Sequence, residues 1–420
     1  MATTPRVTIL GSFSGRNAGD MAILGNMLAE LAHAFPTAVF RVPTTNPRHL
    51  ARTFGRYRLE PIGLRPWDGS IKILGLPILR AMLATDVVLV TDNILFDRQY
   101  FNPLFNHLAT ISLVAPLCRR RGIPLVIYGG GLGPIRTRRG ARALRRVLDA
   151  CRLLLLRDLY SVDLLARLGL RHPRIALTAD PALNTAPPPP EHTDRLLRRL
   201  GVGEGPLLSF NVNSYLDAWE RRGPRFDRDR FAGIVAAALD RAVDSLGVQL
   251  VLVATQAMDR SITEEVRRAM QRRDRVRVYA EPRPDYREIA GLLRRAELHV
   301  GMRTHSLILA AAAGTPVAGL IAYPKSHAFL EMLGLEEWSL GFEALTVEAL
   351  DRMIQGAWAA RAATRVTLTA EVRKLQVRAR RAPELVGRLL GLEPAAPPLR
   401  AAAAVPTPSA GAGPSGAPPS

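Results

Sequence analysis

The stretch "ELHVGMRTHSLILAAAAGTPVAGL" sets Arg303 and His305 into an otherwise apolar run. An arginine is permanently charged and an imidazole titrates near neutral pH, so the pair joins a fixed cation to a proton carrier. A strand ends near Val300 and a helix begins at His305. The first turn of a helix adds backbone donors and a positive field, which suits an anion. Further on, "AYPKSH" ends another strand and offers Lys325, a second point charge for a phosphate or a solvated loop lysine. Lys325 stands out because only Lys72 and Lys374 share its type among 57 basic residues.

The first half of the chain carries a second set. "LLLLRDLYS" puts Arg157 and Asp158 at the end of a buried strand. An arginine there can grip a carboxylate or phosphate with two parallel hydrogen bonds, or pair with the aspartate and orient the next helix. "ALTADPAL" places Asp180 before Pro181, which reads as an aspartate fixing a turn. "GSFSGRNAGD" follows the first strand, with Gly11, Gly15 and Gly19 before a helix whose N-cap candidate is Asp20. It lacks both the dinucleotide glycine spacing and the Lys-Ser/Thr of a phosphate-binding loop. It still lets a ligand approach the backbone in front of a helix N-terminus. "YGGGLGP", containing Gly130 and Gly131, offers the same close approach after another strand.

These residues need a scaffold of alternating strands and helices. Strand patterns fall at Arg6–Leu10, Asp86–Val90, Pro124–Tyr128, Arg152–Leu156 and Ile175–Thr178, with helices at Met21–Phe35, Leu104–Arg121, Arg139–Ala150 and Leu159–Leu168. The Arg-, Pro- and Gly-rich region Thr45–Leu83 reads as an irregular excursion. Four consecutive prolines in "NTAPPPPEH" interrupt the pattern and mark a linker. The scheme then repeats, with strands at Leu207–Val212, Gln249–Ala254, Arg275–Tyr279, Glu297–Val300 and Pro316–Ile321. Helices are expected at Arg228–Leu246, Ile262–Arg273, Asp285–Arg295 and His305–Ala313, and two long ones at Thr346–Arg361 and Arg365–Leu390 that return across the first half. Alternation of this kind predicts an α/β fold: two Rossmann-like domains, residues 1–185 and 205–392, facing a cleft across a linker at 186–204. Residues 393–420 are rich in Ala, Pro, Gly and Ser and predict a disordered tail.

The net charge is +20, but the arginines spread through every helix and aromatics are only 6% of the chain. A nucleic-acid binder concentrates its charge and interleaves aromatics, so nucleic acid is not expected. An anionic small substrate or an anionic membrane surface fits the charge. Two cysteines, Cys118 and Cys151, give neither a disulfide framework nor a zinc spacing, and no metal is expected. "MATTPRVTIL" has no signal-peptide pattern, and the run Ser306–Ile321 is broken by Gly314-Thr315-Pro316 and too short to span a bilayer. A soluble, cytoplasmic protein is the expectation.

In this order, "GRNAGD", "GGGLGP", "RDLYSVDLLARLGL", "ADPAL" and "GMRTHSLILAAAAGTPVAGLIAYPK" resemble the polysaccharide pyruvyl transferase family, over roughly Val7–Leu335. The first segment has one residue more between Gly15 and Asn17 than the family's Gly-Asn-x-Gly-Asp. Thr304 stands where the family usually has Leu, and in "VTDNILFD" Asp92-Asn93 replace paired glycines, with Asp97 matching a family Asp. The resemblance implies a GT-B-like fold, no obligatory metal or cofactor, and phosphoenolpyruvate as donor. It implies transfer of the enolpyruvyl unit to a sugar of a cell-surface polysaccharide precursor, giving a pyruvate ketal. Carried over residue by residue, it implies that Arg157, Arg303 and Lys325 hold the donor and that His305 is the general acid. Asn17, Gly19, Gly130 and Gly131 then line the substrate site, and Asp20 is a base for the sugar hydroxyl. The acceptor would be lipid-linked or nucleotide-linked, with peripheral contact at the inner membrane face. A GT-B glycosyltransferase using a nucleotide sugar, and a non-catalytic binding protein of the same fold, are the alternatives.

Overall fold

The computed structural model describes residues 4–65, 75–92, 94–97, 107–214 and 227–392. Seven strands build the first sheet: β1 (Arg6–Leu10), β2 (Val39–Thr44), β3 (Leu59–Gly63), β4 (Val87–Val90), β5 (Leu125–Gly130), β6 (Cys151–Leu156) and β7 (Ile175–Leu177). Their spatial order is β3-β2-β1-β4-β5-β6-β7. Six more build the second: β8 (Leu207–Asn211), β9 (Gln249–Val253), β10 (Val276–Tyr279), β11 (Leu298–Gly301), β12 (Val317–Ile321) and β13 (Ser339–Gly341), in the order β10-β9-β8-β11-β12-β13. The pairings within both sheets are parallel. Central strands such as "VVLV" of β4 and "LLSFN" of β8 are buried along their whole length, as expected where helices cover both faces. In each sheet the order reverses beside the first strand, between β1 and β4 and between β8 and β11. Ligands of open α/β sheets bind at the carboxyl ends of strands at such a reversal.

The Rossmann-like alternation holds, and several local expectations need correction. The described part of Thr45–Leu83 is not irregular: it forms β3 with helices Pro47–Phe54 and Leu76–Leu83 on either side, while residues 66–74 lie outside the described residues. Short strands with a mixed burial pattern, such as "LEPIG" in β3 and "SLG" in β13, carry little periodic signal, and in β2 an arginine and a proline interrupt the apolar run. The stretch expected as a linker holds a helix, Pro190–Leu200, because Pro190 takes a first-turn position where no backbone donor is missed. The two expected C-terminal helices are one 34-residue helix, Val347–Arg380, followed by Ala382–Leu390. Nothing in "RAATRV" stops a helix, whereas Pro383 starts a new one. The tail at 393–420 and part of the helix expected from Leu104 lie outside the described residues.

One apolar cluster joins the two halves. It packs Met21, Leu24 and Leu28 of helix Ala18–Ala34 with Leu307 and Ile308 of helix Thr304–Ala312 and with Leu368 and Leu375 of the C-terminal helix. The return of that helix to the first half is sealed by Gln376 Nε2, which donates to the Leu183 carbonyl at 2.8 Å. Burying each of these large side chains stabilises by roughly 1.5–3 kcal/mol, so the two sheets are held in a common frame.

Candidate active site

The loop after β1 makes the first half of the site. Asn17, not Asp20, caps helix Ala18–Ala34: its side chain accepts from the Gly19 amide at 2.9 Å. The helix thus starts three residues before the Met21 expected from apolar periodicity, and Asp20 lies in its first turn. Asn17 also donates to Asp20 at 2.6 Å. The loop is tied to the second sheet through Ala18 N to Thr255 O and Ala257 N to Arg16 O, both 2.9 Å.

Arg157 lies at the end of β6 with its side chain only 5% exposed. It is bonded to Asp180 at 2.5 Å, and Asp158 lies 3.6 Å away. Asp158 also caps the following helix through Ser161. Asp180 does more than fix its turn through the Ala182 amide at 2.9 Å. Its Oδ2 lies 3.4 Å from His305 Nε2, across the seam between the halves. The same ring nitrogen lies 3.5 Å from Arg157 Nη1. Burial alone would raise the Asp180 carboxyl, but Arg157 and His305 outweigh it and pull it down to about 2. Gly19 makes this approach feasible, because any β-carbon there would overlap the His305 ring.

Arg303, the N-cap of helix Thr304–Ala312, is also committed. It holds Asp259 bidentately at 2.5 and 2.6 Å. Asp259 is fully buried and accepts from both the amide and hydroxyl of Ser214 at 3.0 Å. Each strand-end arginine thus arrives with a buried carboxylate. A short polar residue deep in the fold leaves no periodic mark in sequence, which is why Asp259 went unnoticed.

Lys325, in helix Pro324–Met332, reaches back to the first half. A β-carbon on Gly131 would lie 2.9 Å from its Nζ and 3.2 Å from Arg157 Nε, so the glycine loop leaves room for both cations. Burial pushes the Lys325 ammonium down to about 7, against the pull of Asp158 and Asp92. Gly130 instead packs on Ile127 and the Asp92 carbonyl, away from the cations. Thr304 Oγ1 pairs with Ser326 Oγ at 2.7 Å and links two helix N-termini, a hydrogen bond that leucine cannot make.

Asp20 is buried, and burial first, then the Asp92 charge, hold its carboxyl well above the usual carboxylate range despite Arg303, Asn17 and Arg157. Asp97 fixes the approach to helix Arg138–Ala150, whose N-cap is Thr137: it accepts from the Arg136 amide at 2.9 Å and the Thr137 amide and hydroxyl at 2.7 Å. His107, which burial shifts downward against the Asp92 charge, belongs to this neighbourhood and had no sequence signal. Among the described residues no group of three or more His, Cys, Asp or Glu could hold a metal ion, and no helix is long and apolar enough to cross a membrane.

Residues 17–324 match the family model for polysaccharide pyruvyl transferase. Among solved structures, Anabaena HepE in complex with UDP-glucose superposes with a TM-score of 0.60 at 14% identity, covering 92% of this chain and 99% of that one. A glycosyltransferase from Rickettsia africae gives 0.59 at 10% identity, again over 92% and 99%. UDP-GlcNAc 2-epimerase from Methanocaldococcus jannaschii gives 0.58 at 12%, with the same coverage. At such identities the likeness is one of fold, two parallel α/β sheets in the GT-B manner. The family match runs from the start of helix Ala18–Ala34 to the start of helix Pro324–Met332, more than half of the chain, and the chain belongs to the polysaccharide pyruvyl transferase family.

Proposed function

We propose that this protein transfers the enolpyruvyl unit of phosphoenolpyruvate to two hydroxyls of a sugar in a cell-surface polysaccharide precursor, forming a pyruvate ketal without a further cofactor. The observation that carries this reading is His305 at 3.4 Å from Asp180 and 3.5 Å from Arg157, beside Lys325 in the opening above Gly131. A proton carrier stands next to clustered cations, which is what a phosphorylated enol needs.

In the proposed reaction His305, held by Asp180, gives its proton to the methylene carbon, which becomes a methyl group. The neighbouring carbon gains cation character and takes the first hydroxyl oxygen. Phosphate then leaves with its bonding electrons, and the second hydroxyl oxygen closes the ketal. Of the two hydroxyl protons, one restores His305 and the other departs with phosphate. Proton donation of this kind contributes about 10²–10⁴-fold in rate. Lys325 and the outward edges of Arg157 and Arg303 stabilise the charge that develops on phosphate. Asn17, Gly19 and Asp20 shape the acceptor side in the first half, and the second half holds the donor. The exposed Leu113 and Leu117 beside Arg119, Arg120 and Arg121 support peripheral contact with an anionic membrane face and a lipid-linked acceptor, in the cytoplasm.

The test is incubation of the purified protein with labelled phosphoenolpyruvate and either nitrophenyl glycosides or lipid-linked sugars. Phosphate release with an acid-labile ketal is expected. Cleavage of a nucleotide sugar with no use of phosphoenolpyruvate would instead favour the glycosyltransferase reading.

A further inference from the structure

Six aspartates are buried in the described residues: Asp20, Asp92, Asp97, Asp158, Asp180 and Asp259. Five have clear partners. Asp20 is bonded by Asn17, Asp97 by Arg136 and Thr137, Asp158 by Ser161, Asp180 by Arg157, and Asp259 by Arg303 and Ser214. Asp92 is the exception. It is 7% exposed, and its carboxylate makes no hydrogen bond to another described residue, only longer-range charge interactions with Lys325, Arg157 and His107.

Its backbone adds to that. Asp92 is the one non-glycine residue among those described with a left-handed backbone, at φ 60°. Aspartate tolerates this region better than most residues, but the conformation still costs, and persists only where the surroundings impose it. They do so here: the Asp92 carbonyl accepts the Gly131 amide at 3.1 Å, locking the residue to the glycine loop. The position is the carboxyl end of β4, at the strand-order reversal beside β1. The groups that feel its charge are Asp20, Arg157, His107 and Lys325, those of the site itself.

We infer that Asp92 is a second acceptor-facing carboxylate, which binds the sugar diol and takes the proton of one hydroxyl as its oxygen bonds the pyruvyl carbon. The inference rests on the transferase reading above. The O–H bond breaks toward Asp92, the C–O bond forms, and the proton passes on to the departing phosphate, which leaves the carboxylate as it began. Asp20, whose burial favours its protonated form, then orients the other hydroxyl as a hydrogen-bond partner. The two carboxyls so divide the work on the diol, and the base role moves from Asp20 to Asp92.

Asp92→Asn and Asp92→Gly test this, since both tolerate a left-handed backbone and remove the charge. Expected are melting temperatures equal to or above the parent, unchanged phosphoenolpyruvate affinity, turnover lower by about 10²-fold or more, and nitrophenyl glycoside affinity lower by about tenfold. Turnover within about threefold of the parent in the glycine variant overturns the inference and leaves Asp92 a turn residue. Parental glycoside affinity in both variants overturns it as well. If the unaltered protein fails to use phosphoenolpyruvate but binds glycosides in an Asp92-dependent way, the transferase reading falls and the diol site stands. If it binds no glycoside, both fall.

Discussion

Arg157 and Arg303 occupy matching places, each at the end of a strand next to its sheet's interior, and each bonded to a buried aspartate at 2.5 Å. They differ in what the aspartate does next. Asp180 turns toward His305 of the opposite half, whereas Asp259 turns inward to the Ser214 amide and hydroxyl of its own half. The first assembly therefore spans the seam and depends on how the halves meet. The second braces a loop beside β8. Two cations that look alike in sequence thus differ in reach, one tied across the seam and the other within its own half, and Lys325 lies on the side of Arg157.

The largest expected effect separates the two assemblies directly. His305→Ala should lower turnover by about 10²–10⁴-fold with phosphoenolpyruvate binding still measurable by calorimetry. A variant with near-normal turnover would remove the imidazole from the chemistry. Gly19→Ala acts on the same assembly from the other half. The new methyl displaces the His305 ring, and a displacement of about 1 Å at a reacting group lowers the rate by roughly 10²-fold. Single-turnover kinetics would register this, and an unchanged rate would show that the ring position is not critical.

Arginine removal sharpens the contrast in stability. Arg157→Ala leaves Asp180 without its arginine in an almost water-free setting, held by the Ala182 amide and His305 alone, and urea unfolding should show a loss of about 3–5 kcal/mol. In Arg303→Ala, Asp259 keeps both of its Ser214 bonds, so a loss of about 1.5–3 kcal/mol is expected. The same variant should weaken phosphoenolpyruvate binding; unaltered affinity would assign Arg303 to the scaffold alone. Equal losses from both variants would erase the distinction between the assemblies.

Lys325 reads out in pH. Its folded pKa, about 7, is below the usual ammonium value, so the unfolded chain binds more protons above neutrality. Stability should rise with pH from about 7 toward the ordinary lysine range, and Lys325→Met should flatten that rise. Donor binding restores the charge, so phosphoenolpyruvate should bind with proton uptake at pH 8, seen as a dependence of binding heat on buffer. The Asp180 carboxyl behaves oppositely, since its folded pKa is depressed to about 2. Its contribution is present above the unfolded carboxylate range and is lost as pH falls through it toward about 2. The smallest effect belongs to Thr304→Val, which removes only the bond to Ser326 and should lower stability by about 1 kcal/mol in thermal unfolding, with turnover little changed.

The sequence by itself determined the alternating α/β plan, because buried parallel strands must be continuous apolar runs and their helices must be amphipathic. It also determined which polar residues stand at strand ends, since a charge after an apolar run has few other places to go. Arg157, Asp180, Arg303, His305 and Lys325 were legible for that reason, as were the glycine loops. Tertiary structure alone decided their partners. Asp259 lies 44 residues before Arg303 and Asp180 lies 23 after Arg157, separations with no periodic trace. Only the meeting of the two sheets put His305 against Gly19 and Asp180, and only the folded backbone left Asp92 buried and left-handed. Local pattern reports which face of an element is apolar, whereas the charge balance at a seam depends on groups that the chain brings together from both halves.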